Sequence, residues 1–159
     1  MTTVRILATG SDFLQEDVRG TGPVIEQIIC EARKEIHVMA YVISKHADKF
    51  LDVLEKSLET GVKTTLVINN LAGQDQEVRD RFISWKQKFP YFRLVDFSRS
   101  EKTLHAKVVV VDREKAVIGS ANFSWGGMSG NYEIGVLIEG RDAWMLSKLV
   151  DDVATSSEN

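Results

Sequence analysis

Valines 108–111 stand without interruption inside the segment Leu104-His-Ala-Lys-Val-Val-Val-Val-Asp112. β-Branched residues are stiff at χ1 and pack well on a pleated surface, so residues 105–111 are predicted to form a strand. Side chains alternate along a strand, which puts His105 and Lys107 on one face with Val109 and Val111 continuing it. One face of this strand then carries two basic side chains.

The rest of the chain supplies layers for such a strand. Val4 to Ala8 is a short apolar run. Thr21-Gly-Pro23 opens a helix whose stripe is Val24, Ile25, Ile28, Ile29 and Ala32, with proline suited to the first turn. Residues 36–43 read as a strand, and Phe50, Leu51, Val53, Leu54 and Leu58 mark a helix that stops at Gly61. Residues 62–68 return to strand. A helix over about 74–88, with Val78, Phe82, Ile83 and Trp85 inward, ends before Pro90, and 92–97 is strand again. Residues 115–118 and 133–138 complete the sheet, and 143–153 closes as an amphipathic helix. Helices separate the early strands and short connections join the late ones. The order predicts an α/β layered sandwich with a mixed, mostly parallel central sheet flanked by helices. One domain is expected over 1–154, with a polar tail at 155–159.

Composition is that of a soluble globular core: 159 residues, 43% hydrophobic and 27% charged. No run of eighteen apolar residues occurs, nor a basic N-terminal region followed by an apolar stretch. Neither a membrane span nor a signal peptide is predicted, so a cytoplasmic location without stable membrane association is expected. Cys30 is the single cysteine, cannot form an internal disulfide, and is expected to be a buried structural thiol.

Beyond the strand the chain continues Gly119-Ser-Ala-Asn122 and then Asn131-Tyr-Glu133. A histidine and a lysine pointing together, followed by a small-residue turn with a hydroxyl and an amide, make a site for a tetrahedral anion such as phosphate. A neutral imidazole can act as nucleophile toward phosphorus while an ammonium offsets charge on the non-bridging oxygens. Neither task requires a metal or a cofactor, and none is expected. Plainer readings stand beside these. Ser120 also suits a turn residue bonding its own backbone, Asn122 suits the cap of a short helix beginning near Phe123, and an H-x-K triplet alone arises by chance. His37 and His46 lack partners at useful spacing and read as structural.

Extended through Asp112, Gly119-Ser120, Asn122 and Glu133, the H-x-K-x4-D pattern resembles the phospholipase D superfamily. The resemblance covers most of the chain, and its specific part is residues 104–135. It implies a fold of the layered α/β kind and an active site built from two such motifs brought face to face. No second H-x-K occurs here, so the chain is similar to members that form homodimers, the small single-motif bacterial endonucleases and metal-independent restriction enzymes among them. The resemblance further implies that His105 forms a phosphohistidine and that His105 of the second subunit protonates the leaving oxygen. Lys107 and Asn122 would hold phosphate oxygens with Ser120 at the pocket edge, and Glu133 would hydrogen-bond His105 and fix its tautomer. Asp112, counted with the catalytic motif, reads as a structural anchor rather than a chemical participant.

Substrate is less legible. A net charge of -3 does not advertise a nucleic-acid binder, but residues 79–102 carry seven basic against three acidic side chains and run straight into the motif. Arg99 and Lys102 are candidates to line the cleft beside the phosphate, against the bland reading of 79–88 as a solvated helix face. Phe97 and Phe123 suit core packing, whereas Trp125 is the candidate for exposure and for stacking on bases. The leading expectation is a homodimeric nuclease cutting DNA or RNA phosphodiesters. Alternatives are a lipid phosphodiesterase or phosphatidyl transferase, and a nucleic-acid-binding or recruitment module of a larger restriction or defence complex.

Overall fold

The computed structural model describes residues 1–98 and 101–158. Its strands are β1 (Thr2–Thr9), β2 (Arg19–Gly20), β3 (Glu35–Ala40), β4 (Lys63–Asn69), β5 (Phe92–Phe97), β6 (Val108–Val111), β7 (Lys115–Gly119) and β8 (Glu133–Gly140). The helices are α1 (Thr21–Cys30), α2 (Asp48–Glu59), α3 (Gln76–Lys88) and α4 (Arg141–Glu158). All eight strands join one mixed sheet in the order β2-β1-β8-β7-β6-β3-β4-β5. β6 and β8 run against the other six, because β6 pairs antiparallel with β3 and β7, and β8 with β7 and β1.

Burial explains the layers. Along β3, Ile36, Val38 and Ala40 join the cluster with the stripes of α1, α2 and α3. The alternate position Met39 joins Val67, Val95, Val108 and Val110 under α4. With both faces covered, β6 is buried at all four valines.

Three expectations shift. β6 begins at Val108, so His105 and Lys107 precede the strand rather than sharing its face. Cys30 is exposed, because it is the last residue of α1, beyond Ile28 and Ile29, which face the core. The polar residues after Val153 continue α4 as helix to Glu158, where Glu158 pairs with Arg93.

The alternation of directions sorts the loops to two poles. The C-terminal ends of β1, β3, β4, β5 and β7 and the N-terminal ends of β6 and β8 share one, where open α/β sheets commonly bind ligands. The opposite pole holds Asp112 and Arg113, both at positive φ in the β6–β7 turn.

Candidate active site

Lys107 is 8% exposed at the start of β6, while His105 lies exposed two residues before it. The lysine folds back on its own chain. Its Nζ donates to the His105 carbonyl at 2.9 Å and stands 2.9 Å from His105 Nδ1. An ammonium only donates, so the ring nitrogen accepts in this contact. Burial holds the Lys107 amine below the ordinary lysine range, and the Glu133 carboxylate offsets part of that effect.

Tyr41, on the loop after β3, forms a wall that the sequence did not mark. Its ring centroid is 4.5 Å from that of His105 at 46°, and Lys107 Nζ lies 5.5 Å from the same ring. The antiparallel pairing of β3 with β6, Met39 opposite Val108, is what sets Tyr41 beside the motif. Asn69, at the end of β4, fixes the approach by accepting the Leu104 amide at 3.0 Å on its Oδ1.

Ser120 and Glu133 meet where β7 ends and β8 begins. The Ser120 hydroxyl donates to Glu133 Oε2 and also receives the Ile134 amide at 3.2 Å. Asn131 Nδ2 donates to Glu133 Oε1 at 3.2 Å. Glu133 is thus bound to Ser120 and Asn131 within the chain, not to His105 as the resemblance implies. Its charge still reaches Lys107. The Ser120 hydroxyl bonds across to β8 and not to its own backbone as the turn reading expected, and its amide donates to Ile134 O at 3.1 Å.

Asn122 does not cap a helix through its side chain. Its Oδ1 is buried without a hydrogen-bond partner among the described residues, a costly condition for an amide oxygen. The turn after it is compact: a Cβ at Gly127 would lie 2.0 Å from Asn122 O, so the π-helical turn Gly126–Gly130 closes on the Asn122 carbonyl only because residue 127 is glycine. Phe123 is buried and stacks on Phe50 at 4.5 Å, whereas Trp125 is 63% exposed.

Asp112 stands at the far end of β6. Five residues of roughly 3.3 Å rise put it on the order of 16 Å from Lys107 along the strand, out of reach of a phosphate held there. Its carboxylate accepts three amides, Arg33 N at 3.0 Å, Lys34 N at 2.8 Å and Glu35 N at 3.0 Å, tying the β6–β7 turn to the start of β3. Lys102 is exposed near the motif, and Arg99 lies outside the described residues. Elsewhere in the basic segment, Arg81 bonds Asp52 and Glu55, and Arg93 pairs with Glu158.

Residues 25–154 match the family described as cardiolipin synthase, PLD-like domain. The chain is 30% identical over 152 residues to the DISARM protein DrmC of Bacillus paralicheniformis, covering 94% of this chain and 62% of that protein. It is 29% identical over 165 residues to a cardiolipin synthase of Staphylococcus aureus, covering 98% of this chain and 31% of the other. The chain therefore spans less than two thirds of these relatives. Two solved structures superpose with a TM-score of 0.76. NucT from Helicobacter pylori is 16% identical, with 99% of this chain and 98% of that chain covered. Nuc from Salmonella typhimurium, a phospholipase D family member, is 18% identical, with 100% and 95% covered. Sequence match and fold together make this chain a member of the phospholipase D-like family.

Proposed function

We propose that this domain is a metal-independent phosphodiesterase, an endonuclease of DNA or RNA acting through a phosphohistidine at a site shared by two copies of the chain. The observation that carries the reading is a buried ammonium, Lys107, set against the exposed ring of His105 at the ligand-binding pole of the sheet.

In this reading a His105 ring nitrogen bonds to phosphorus as the phosphorus–oxygen bond of the leaving group breaks. The leaving oxygen takes a proton from the imidazolium of the second copy's His105. That imidazole, now neutral, draws a proton from water. The water oxygen bonds to phosphorus and the phosphorus–nitrogen bond breaks. Lys107 offsets charge on the non-bridging oxygens, and the Asn122 side-chain Nδ2 group donates to the same oxygens. Glu133 holds Ser120 and balances the charge of Lys107. Homodimerisation supplies the second imidazole that this scheme needs; His37 is buried beneath α4 and bonded to Asp151, and His46 lies exposed in the turn before α2. Likeness to the endonuclease-like folds and to DrmC favours nucleic acid as substrate and a place in a larger defence complex.

The cardiolipin synthase match favours a second reading, a phosphatidyl transferase or lipid phosphodiesterase. No helix among the described residues is long and apolar enough to cross a membrane.

The test is cleavage of single-stranded and duplex DNA and of RNA in excess EDTA, with phosphatidylglycerol vesicles in parallel and His105→Ala beside the wild type. Nucleic-acid cleavage by the wild type alone is expected. Cleavage retained by His105→Ala removes the nucleophile assignment, and turnover of lipid alone transfers the site to the second reading.

A further inference from the structure

Beside the site, the same two loops that carry Tyr41 and Asn122 border an open groove of about 460 Å³. Pro23 and Glu26 of α1, His46 to Phe50 at the start of α2, and Trp125 and Met128 line it. The loops are coupled, since Ser44 donates its amide to Phe123 O at 3.0 Å and Ile43 bridges to Phe123. A ligand in the groove is thus held by the backbone that positions the Asn122 and His105 neighbourhood.

Trp125 is exposed but its position is set. A Cβ at Gly130 would lie 2.1 Å from Trp125 Cζ3 and 2.8 Å from Cη2, so the ring rests directly against the bare glycine backbone. An exposed ring seated in advance loses little freedom when a planar ligand stacks on it. Glu26 and Asp48 also line this groove, and among the described residues neither carboxylate has a hydrogen bond or ion pair. Free carboxylates accept from amino and imino N–H groups such as those on cytosine, adenine and guanine, and thymine or uracil offers fewer such donors. An aromatic platform with carboxylate acceptors suits the face and edge of an unpaired base.

We infer that the groove is a base-binding subsite for single-stranded nucleic acid, stacking one unpaired base on Trp125 and reading its amino edge with Glu26 and Asp48. The inference rests on the nuclease reading of the adjoining site and adds strand and base preference to it.

Equilibrium binding separates the two ideas, because it needs no turnover. The probe is fluorescence anisotropy of the His105→Ala protein with labelled oligodeoxycytidine, oligodeoxythymidine and a mixed-sequence duplex. Tighter binding of oligodeoxycytidine is expected, with a loss of about 10-fold or more in Trp125→Ala, the size of one base–aromatic stack. Trp125→Phe restores most of it. Glu26→Gln combined with Asp48→Asn removes the preference for cytosine over thymine. Equal affinity for the duplex, unchanged binding by Trp125→Ala, or no binding to any of these probes overturns the subsite. Failure of the nuclease reading is visible separately, in the EDTA cleavage assay.

Discussion

Replacing Asp112 separates motif membership from chemistry. Its carboxylate receives three backbone amides, from Arg33, Lys34 and Glu35. Hydrogen bonds to a charged group contribute roughly 1.5 to 3 kcal/mol when sheltered, and about 1 kcal/mol each is reasonable at this half-exposed turn. Asp112→Ala therefore costs about 3 kcal/mol, with up to roughly 1 more because alanine tolerates the positive φ of 52° less well. In a domain of this size a loss of about 3 kcal/mol lowers the melting temperature by roughly 6–12 °C. Asp112→Asn keeps an oxygen where two of the three amides converge and should lose about a third as much. The assay pairs thermal melts with the cleavage rate per folded molecule, measured well below the lowered melting point. Stability should fall while the rate stays within a few-fold of wild type. A variant that melts like the wild type, or one that is folded but loses activity by two orders of magnitude, refutes the assignment of Asp112 as an anchor.

Lys107→Ala should lower kcat by about 10²–10³ with little change in substrate affinity, as for removal of one group that stabilises transition-state charge; an equal rate in single-turnover kinetics would contradict its role. Glu133→Gln, which keeps an acceptor for Ser120 but removes the charge near Lys107, should reduce the rate less than His105→Ala. If it proves as damaging as His105→Ala, the carboxylate is a chemical participant. His37 is buried, and burial outweighs Asp151 and Glu35 to lower its pKa below the ordinary imidazole value. The unfolded chain therefore binds a proton first, so stability is full above about pH 6.5 and falls as pH drops below it, by at most about 1.4 kcal/mol per pH unit. His37→Gln should flatten that part of the urea-midpoint profile between pH 5 and 7, and an unchanged slope would reject the mechanism.

Apolar periodicity made the layers legible: the stripes of α1 and α2 and Val78, Phe82 and Trp85 of α3 meet the sheet, whereas Ile83, expected inward, is exposed because it falls off that stripe. Site chemistry was legible as residue types, and less so as geometry. His105 and Lys107 come together through a bond from Lys107 Nζ to the His105 carbonyl, not through strand alternation, and no spacing rule encodes that fold-back. Tyr41 follows a buried strand and carries no local signal; only the antiparallel register of β3 against β6 delivers it to His105. Charge counted along the chain marks Arg99 and Lys102 for the cleft and leaves 79–88 as a solvated helix face. In space Asp52, Glu55 and Glu158 absorb Arg81 and Arg93.

The two-pole arrangement bears on how the domain can be joined to others. Thr2 pairs with Gly140 and Glu158 pairs with Arg93, so both ends of the described chain emerge at the pole away from His105. A polypeptide fused at either end is tethered behind the sheet and leaves the pole of His105 open. Such a layout lets a domain of this kind be carried as cargo within longer proteins while the end that bears His105 and Lys107 stays unobstructed.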